Sequence, residues 1–315
     1  RSMIRWGVFG GSIRIYRSSL LPAFEQVGHS VIDAPSRNGD DFTPYADMLT
    51  RSDIDAVYNP LPNHLHAEWS HRALDAGKHV LCEKPLTLSP ADSANLFDHA
   101  ATAGLTILEA YMWPHHPRAR ALLELAGDGS LGTLQTGRAS FSYPMDMTSG
   151  DHRIDPRGAG ALFDIGIYCI APFLLIADRD PAGMAATATR NDLGVDISMA
   201  GWIDWGSGFS TTFDVTFDGP TRKEMALSAS LGLVNLPGLL VPGPLEQSDI
   251  VVERRDGSFD TIECAGANAY AEMVAHFEAV VAGGEQPVFG KQESLRLAAI
   301  LDELHRQTTV ASTHV

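Results

Sequence analysis

Basic charge is scarce in this chain. Lys and Arg together number 23 against 39 Asp and Glu over 315 residues, a formal net charge of −16. Such a field repels nucleic acid and anionic lipid unless a local basic patch intervenes, and no run of basic residues forms one. Cysteine is scarcer still. Cys82, Cys169 and Cys264 are odd in number and lack CxxC spacing, which argues against a disulfide framework and a zinc cluster and fits a reducing cytoplasm. No uninterrupted apolar run reaches membrane-spanning length. Met3-Ile4 enters a strand at once, without the charged and apolar regions of a secretion leader, so a cytoplasmic location is expected; Arg1-Ser2 reads as a cloning remnant. Internal repeats and low-complexity segments are missing too. What is present is a 44% hydrophobic, 20% charged composition that can bury a proper core, at a length suited to two domains.

The first third alternates strands with helices. Ile4 to Phe9 is an apolar strand running into Gly10-Gly11, followed by helical spacing over Ser18 to Val27. His29 to Ala34, Ile54 to Asn59, His79 to Cys82 and Leu105 to Glu109 read as further strands, with helices over Pro62 to Ala76 and Ser89 to Ala103. That grammar means right-handed βαβ units and a parallel sheet. Ser36 to Tyr45 reads as too short for a helix between the second and third strands. After Trp113 the pattern changes: a helix over Pro117 to Glu124, a strand over Gly137 to Tyr143, then a polar loop. Phe209 to Phe217 alternates apolar with polar residues, a strand with one packed face. Its other face, Ser210, Thr211, Thr212, Asp214 and Thr216, suits either solvent or a polar interface. Ile250 to Arg254 and Phe259 to Cys264 flank Asp256-Gly257, a hairpin signal. Tyr270 to Val281 and Gln292 to Gln307 are the final helices, while Gly206 and Pro237 to Pro244 read as loops. The expected fold is α/β: a Rossmann-type parallel sheet domain over residues 1–113, then an α/β domain with a large, mainly antiparallel open sheet over 114–315.

Chemistry-bearing residues cluster at the carboxyl ends of the first strands. Gly7-x-x-Gly10-Gly11 lies where free backbone N–H groups and a helix dipole can receive a pyrophosphate, although Ile15 or Tyr16 fills the position usually held by a third small residue. The alternative is a glycine turn without a nucleotide. Ser36-Arg37, at the end of the second strand, suits a 2′-phosphate and so NADP, whereas Asp33 keeps NAD open. Asn63 follows Pro62 and either caps the next helix or touches cofactor. Lys84, in Cys82-Glu83-Lys84-Pro85, stands on the turn after the fourth strand, where open α/β sheets hold their ligands. In the second half, Asp164 and Tyr168 are four apart and share one helix face, a carboxylate and a phenol suited to orienting a hydroxyl and moving its proton. A helix cap and a core tyrosine are the bland reading. His64 and His66, or His115 and His116, lack HxxxH spacing and a matching third ligand, so no metal is expected.

With these residues in view the chain resembles the glucose-fructose oxidoreductase / inositol dehydrogenase (Gfo/Idh/MocA) family. The matching segments are Ala56 to Leu88, Glu109-Ala-Tyr-Met-Trp113 with His116-Pro117, and Arg153-Ile-Asp-Pro156 followed by Gly160 to Tyr168. Asn59-Pro-Leu-Pro-Asn63 and Tyr-Met-Trp are most similar to the D-xylose dehydrogenase and dimeric dihydrodiol dehydrogenase branch. Pro114 replaces an arginine common in that branch. The resemblance implies a cis peptide before Pro85. It implies catalytic roles for Lys84, Asp164 and Tyr168, with Tyr168 the proton donor or acceptor. It further implies cofactor contacts at Ser12, Pro60, His66 and Glu83 beside Gly7, Gly10, Gly11, Ser36, Arg37, Asn63 and Lys84, and substrate contacts at Tyr111, Trp113, Arg153 and Asp164. The expected activity is hydride transfer between NADP, or alternatively NAD, and a hydroxyl or carbonyl of a sugar, polyol or cyclic diol. A homo-oligomer through the second domain's sheet is expected, and neither nucleic acid nor membrane as partner. The rival is a non-catalytic NAD(P)-binding sensor of the same fold.

Overall fold

The protein is described by a computed structural model covering residues 3–158, 160–238 and 249–311. It divides into two compact units. One comprises residues 1–112 and 268–295, the other 113–267 and 296–315.

In the first unit β1 (Arg5–Val8) leads through a glycine turn and a π-helical turn, Tyr16–Leu20, into α1 (Leu21–Gln26). There follow β2 (Ser30–Asp33), α2 (Thr43–Leu49), β3 (Ala56–Asn59), α3 (His66–Asp75), β4 (His79–Glu83), α4 (Pro90–Ala103) and β5 (Ile107–Ala110). The strands form one parallel sheet in the order β2-β1-β3-β4-β5, the doubly wound pattern that places ligands outside the strands' carboxyl ends. The inner strand β3 is enclosed at every position, and so is β5 at the sheet's end. Helix α4 shows how termini are set locally: Ser89 Oγ accepts the Asp92 N–H at its start, and Gly104, with φ 67°, ends it.

Two sequence expectations are corrected here. A helix does stand between the second and third strands. Pro44 sits in its first turn, where proline is tolerated, and Tyr45, Met48 and Leu49 give it a buried face. Phe42 and Tyr45 pack on Trp69 of α3 at ring distances of 5.2 and 5.4 Å, an aromatic cluster that compensates for the helix's brevity. The chain also returns to this unit after residue 267, contrary to a simple division at residue 113. Helix α7 (Ala269–Val281), capped by the Asn268 side chain, places Phe277 5.2 Å from the Trp6 ring. The Trp6 indole N–H donates to His29 Nδ1 at 2.9 Å, so the imidazole proton lies on Nε2 and is donated to Glu278 of that helix, also at 2.9 Å. Trp6 on β1 needs cover, and α7 supplies it.

The second unit opens with α5 (Pro117–Gly127), capped by His116 Nδ1, and contains α6 (Ile167–Ala177) and a large sheet. Its strands are β6 (Leu134–Ser142), β7 (Gly183–Arg190), β8 (Asp196–Gly206), β9 (Phe209–Thr216), β10 (Arg222–Ala229), β11 (Gly232–Pro237), β12 (Ile250–Arg254) and β13 (Phe259–Ile262). The order is β13-β12-β11-β10-β6-β9-β8-β7, antiparallel except for the β6–β9 pair. Helix α8 (Lys291–Ala311) closes the fold, its residues from Arg296 onward belonging to this unit. The expected hairpin turn is present, with Gly257 at φ 86°. Pro237 and Gly206 end strands, and the rest of the expected Pro237–Pro244 loop lies mostly outside the described residues.

Alternation along β9 holds with one change. Thr211 faces inward, because its Oγ1 accepts the buried Trp205 indole N–H at 2.9 Å. Under the sheet, α6 approaches β6 closely enough that a Cβ on Gly137 would lie 2.4 Å from the Phe173 ring. Gly137→Ala should therefore overpack this contact and cost about 1–3 kcal/mol in chemical denaturation; an unchanged midpoint would contradict the packing.

Candidate active site

The turn after β4 is gripped by buried polar groups from three directions. Glu83 Oε1 accepts the Tyr58 hydroxyl at 2.6 Å, and Oε2 accepts the Lys84 N–H at 3.2 Å. His66 Nδ1 lies 2.8 Å from the Pro85 carbonyl oxygen while its Nε2 lies 2.6 Å from that of Leu61. Glu109 Oε1, at the end of β5, accepts the Leu86 N–H at 3.0 Å. The Lys84–Pro85 bond is cis, as the resemblance implied. Lys84 itself is partly exposed, whereas His66, Tyr58, Glu83 and Glu109 are buried.

Burial sets the protonation of this ring of groups. It drives the Tyr58 phenol well up, with Glu83 adding to the effect, so Tyr58 remains a donor. It lowers His66 to about 4, so the ring is neutral and its single N–H serves two competing carbonyls. It raises Glu109 to about 7, against the opposing pull of the Ser294 hydroxyl, the Leu86 N–H and Lys84. The Cys82 thiol is also pushed well up by burial, which makes it an inert core residue.

Several expected cofactor contacts acquire other duties. His66 has no exposed surface and both ring nitrogens are engaged, so its side chain is part of the turn's support rather than a cofactor ligand. Asn63 opens the 3₁₀ turn, Asn63–Leu65, that leads into α3. A Cβ on Gly7 would lie 2.9 Å from the Met48 sulfur, which gives this glycine a packing role. The amides of the glycine turn are not free: Gly10 and Gly11 both donate to the Pro35 carbonyl, at 3.0 and 3.1 Å, and Ser12 donates to Ser36 Oγ at 3.1 Å. A Cβ on Gly11 would come 2.1 Å from the Ala34 carbonyl oxygen, so the turn closes on the exit of β2. Arg37 sits over the Phe42 ring at 4.7 Å and bonds the Gly39 carbonyl, and Asp33 is held by Arg51 at 3.4 Å. Pro60 is buried at the end of β3.

The second unit carries Arg153, Asp164 and Tyr168. Arg153 is clamped to both Asp151 carboxylate oxygens, at 2.9 and 2.6 Å, and Nη1 donates to the Tyr143 hydroxyl at 2.7 Å. Tyr143 in turn donates to Asp164 Oδ2 at 3.1 Å, with Arg153 Nη1 3.7 Å from the same oxygen. Arg153 holds the Asp151 carboxyl down to about 2, while burial and then Asp164 raise the Tyr143 phenol. Asp164 sits in a π-helical turn, Leu162–Gly166, that opens α6, and buried Asp196 Oδ2 accepts the Leu162 N–H at 2.8 Å. Tyr168 is buried on the first turn of α6 with its ring 5.8 Å from Phe141. Pro172, inside that helix, has no N–H for the Tyr168 carbonyl four residues earlier. A π-turn followed by a proline is an irregular stretch of the kind that re-aims side chains at functional sites. Tyr111 and Trp113 are wholly buried, Tyr111 against Phe289 at 5.0 Å, so neither offers open surface to a substrate. Among the described residues no group of His, Cys, Asp and Glu could hold a metal, and no helix is long and apolar enough to cross a membrane.

Tyr143, Glu109 and Tyr58 were not singled out as site residues from the sequence. Glu109 had a signal: a carboxylate inside the apolar strand Ile107-Leu-Glu-Ala110 must be satisfied by something. Tyr143 had none, since its partners come from residues 153 and 164.

Two family models cover most of the chain. Residues 18–111 match the Gfo/Idh/MocA oxidoreductase family, NAD-binding Rossmann fold, and residues 119–232 match the Gfo/Idh/MocA C-terminal domain. The chain belongs to this family. It is 30% identical over 309 residues, 94% of each chain, to D-xylose 1-dehydrogenase (NADP(+)) 2 of Haloferax volcanii. It is 33% identical over 269 residues to a dTDP-3,4-didehydro-2,6-dideoxy-alpha-D-glucose 3-reductase of Actinomadura kijaniata, covering 84% of this chain and 80% of that one. The crystal structure of KijD10, a 3-ketoreductase from Actinomadura kijaniata in complex with NADP and TDP-benzene, superposes with a TM-score of 0.86 at 30% identity, covering 97% and 98% of the two chains. This Gfo/Idh/MocA oxidoreductase thus has both expected domain types, a parallel Rossmann sheet and a large, mostly antiparallel one.

The support around Lys84 makes a signed prediction. Unfolded, the His66 imidazole takes a proton near 6.5; folded, only near 4. The unfolded chain therefore binds the extra proton in that window, so stability from this group is full above about pH 6.5 and is lost as pH falls toward 4. His66→Leu should abolish that dependence and cost about 1–3 kcal/mol for the carbonyl left unpaired. Urea denaturation from pH 4 to 8 checks both; an unaltered pH profile in the variant would contradict the assignment.

Proposed function

We propose that this chain is a cytoplasmic, NADP-dependent dehydrogenase acting on a hydroxyl, or in reverse a carbonyl, of a sugar, polyol or cyclic diol. The observation that carries this reading is the grip on the Lys84 turn at the carboxyl edge of a Rossmann sheet, where three buried side chains fix the backbone around one partly exposed ammonium. Buried polar groups are costly, and concentrating them behind a single lysine suits a residue whose position matters. The NADP names of the relatives support the cofactor, as does the donor set: Ser36 and Arg37 follow β2 at the place of a 2′-phosphate, while Asp33 is engaged by Arg51. Gly10, Gly11, Ser12 and Asn63 would line the same edge, and Glu83 acts through its bond to the Lys84 N–H.

NADP(H), when bound, supplies or accepts the hydride. The chain's own part is to place and deprotonate the alcohol. Tyr168 exchanges the proton with the substrate oxygen, Lys84 stabilises the charge that develops there, and Asp164 with Arg153 orients neighbouring hydroxyls. Tyr143 joins these last two into one network, so the carboxylate presents a fixed edge. Orientation of this kind can contribute on the order of 7–11 kcal/mol to the barrier reduction. The described cation of this network, Arg153, is clamped by Asp151, which favours an uncharged substrate over a nucleotide-linked one.

A sensor without turnover is the second reading, favoured by the commitment of the Gly10 and Gly11 amides to Pro35. A panel of free aldoses, including D-xylose, with NADP+ separates the two. Lys84→Ala and Tyr168→Phe should each lower turnover by roughly 10²–10⁴-fold with NADPH affinity nearly retained. Binding of NADPH without turnover of any panel member would favour the sensor, and wild-type turnover in either variant would refute the catalytic roles.

The oligomer is proposed to form through the open face of the second sheet. Register aligns Trp202, Thr212, Arg138, Ala226 and Asn235 across five strands, and Trp202 is 42% exposed there. The exposed polar residues Thr212, Arg138 and Asn235 in line with one large exposed ring suit a self-complementary interface. Light scattering should find a dimer or larger assembly that Trp202→Asp disrupts; a monomeric wild type would contradict this.

A further inference from the structure

Glu109 is an expensive residue. It lies in β5 at 5% exposure, between Leu108 and Ala110, which are also buried. A leucine or glutamine there would avoid the cost of a buried carboxyl. The carboxyl's contacts converge on one place. Oε1 takes the Leu86 N–H at 3.0 Å, two residues past Lys84, while Glu83 takes the N–H of Lys84 itself and His66 holds the carbonyl between them. Two peptide groups of one turn are thus fixed by side chains: Glu83 of β4 holds the one between residues 83 and 84, while His66 of α3 and Glu109 of β5 hold the two ends of the one between 85 and 86. The tyrosine hydroxyl on Glu83 and the imidazole on Pro85 are uncharged when they act. Glu109 adds, beside Glu83, a charge that Lys84 feels.

We propose that Glu109 is a positioning residue for Lys84: it anchors the turn through the Leu86 amide, and its negative charge holds the ammonium toward the sheet's carboxyl edge. This rests on the reading of Lys84 as an active-site group. The groups that face Glu109 are Cys82 and Glu83 on β4, Lys84 on the turn after it, the Ser294 hydroxyl on α8 and the Leu86 N–H. Glu83 disfavours the charge; Lys84, Ser294 and Leu86 favour it; burial outweighs them and leaves the carboxyl titrating at about 7. The anchor therefore strengthens as pH rises through neutrality. The stability effect has the opposite sign. Unfolded, Glu109 loses its proton near 4.5, and folded only near 7, so its burial costs progressively more as pH climbs across that range. A residue that destabilises the fold where it acts best is the signature of a functional carboxyl rather than a packing one.

The experiment uses Glu109→Gln, which keeps an acceptor for Leu86 but cannot ionise. The full chain contains Lys78, Lys84, Lys223 and Lys291 as its lysines, so reductive ¹³C-methylation yields few side-chain resonances, and Lys84→Arg identifies the one from Lys84. In the wild type the Lys84 methyl resonance should shift with a midpoint near 7, following Glu109, and the inflection should vanish in Glu109→Gln. Glu109→Gln should also melt higher than wild type at pH 8, which establishes that it folds. Turnover on a sugar accepted by the wild type should fall by about tenfold or more, with the KM for NADPH little changed and the rise in rate through pH 7 flattened. The resonance arm needs no substrate. An inflection at Lys84 that disappears in the variant, beside a sugar panel that yields no turnover, would sink the dehydrogenase reading and leave the Glu109–Lys84 coupling standing. A Lys84 resonance with no inflection near 7, or a variant with wild-type kcat and pH profile, would overturn the proposal.

Discussion

The structure of this site depends on desolvation at the end of the fourth strand. Tyr58, His66, Glu83 and Glu109 are polar groups placed where water is excluded, and each is compensated by the backbone or side chain of the turn that carries Lys84. Hydrogen bonds in such surroundings are stronger than at the surface, and an unmade one is correspondingly costly. The turn is therefore held by a network whose members support one another, and the lysine leaves it in a defined direction. Loops usually carry function on a rigid scaffold; here the loop itself has been made rigid.

The second unit uses the same device with different residues. Asp196 is buried and takes the Leu162 N–H, fixing the start of the π-turn on which Asp164 lies. Arg153 is locked by Asp151 and reaches Asp164 directly and through Tyr143. A bidentate guanidinium with a third contact loses little further freedom on meeting a ligand, so its ordering cost is met during folding rather than at binding.

Much of this architecture was legible in the sequence because local patterns determine it. The parallel strands are continuous apolar runs, β9 alternates, Asp256-Gly257 makes its hairpin, and the Cys82-Glu83-Lys84-Pro85 run marks its own turn. What escaped notice depends on partners distant along the chain. Helix α2 was hidden by Pro44 and the glycine and aspartates before it, and it exists because Trp69 gives its aromatics something to pack on. Helix α7 reads equally well as part of either unit until Trp6 and His29 are seen to claim it. Thr211 turns inward for the Trp205 indole, and the glycine turn spends its amides on Pro35. The roles of Glu109 and Tyr143 follow from hydrogen bonds to residues ten or more positions away, which no spacing rule reveals.

The central claim is that the buried groups around the turn after β4 hold Lys84 for work on a substrate oxygen beside the nicotinamide. The most direct measurement is a crystal structure with NADP and a sugar bound. The account predicts Lys84 Nζ within hydrogen-bond distance of the oxygen on the carbon facing the nicotinamide, with the Glu83, His66 and Glu109 bonds to the turn intact. A bound sugar whose reacting oxygen lies away from Lys84, or a turn that has let go of those three side chains, would contradict it.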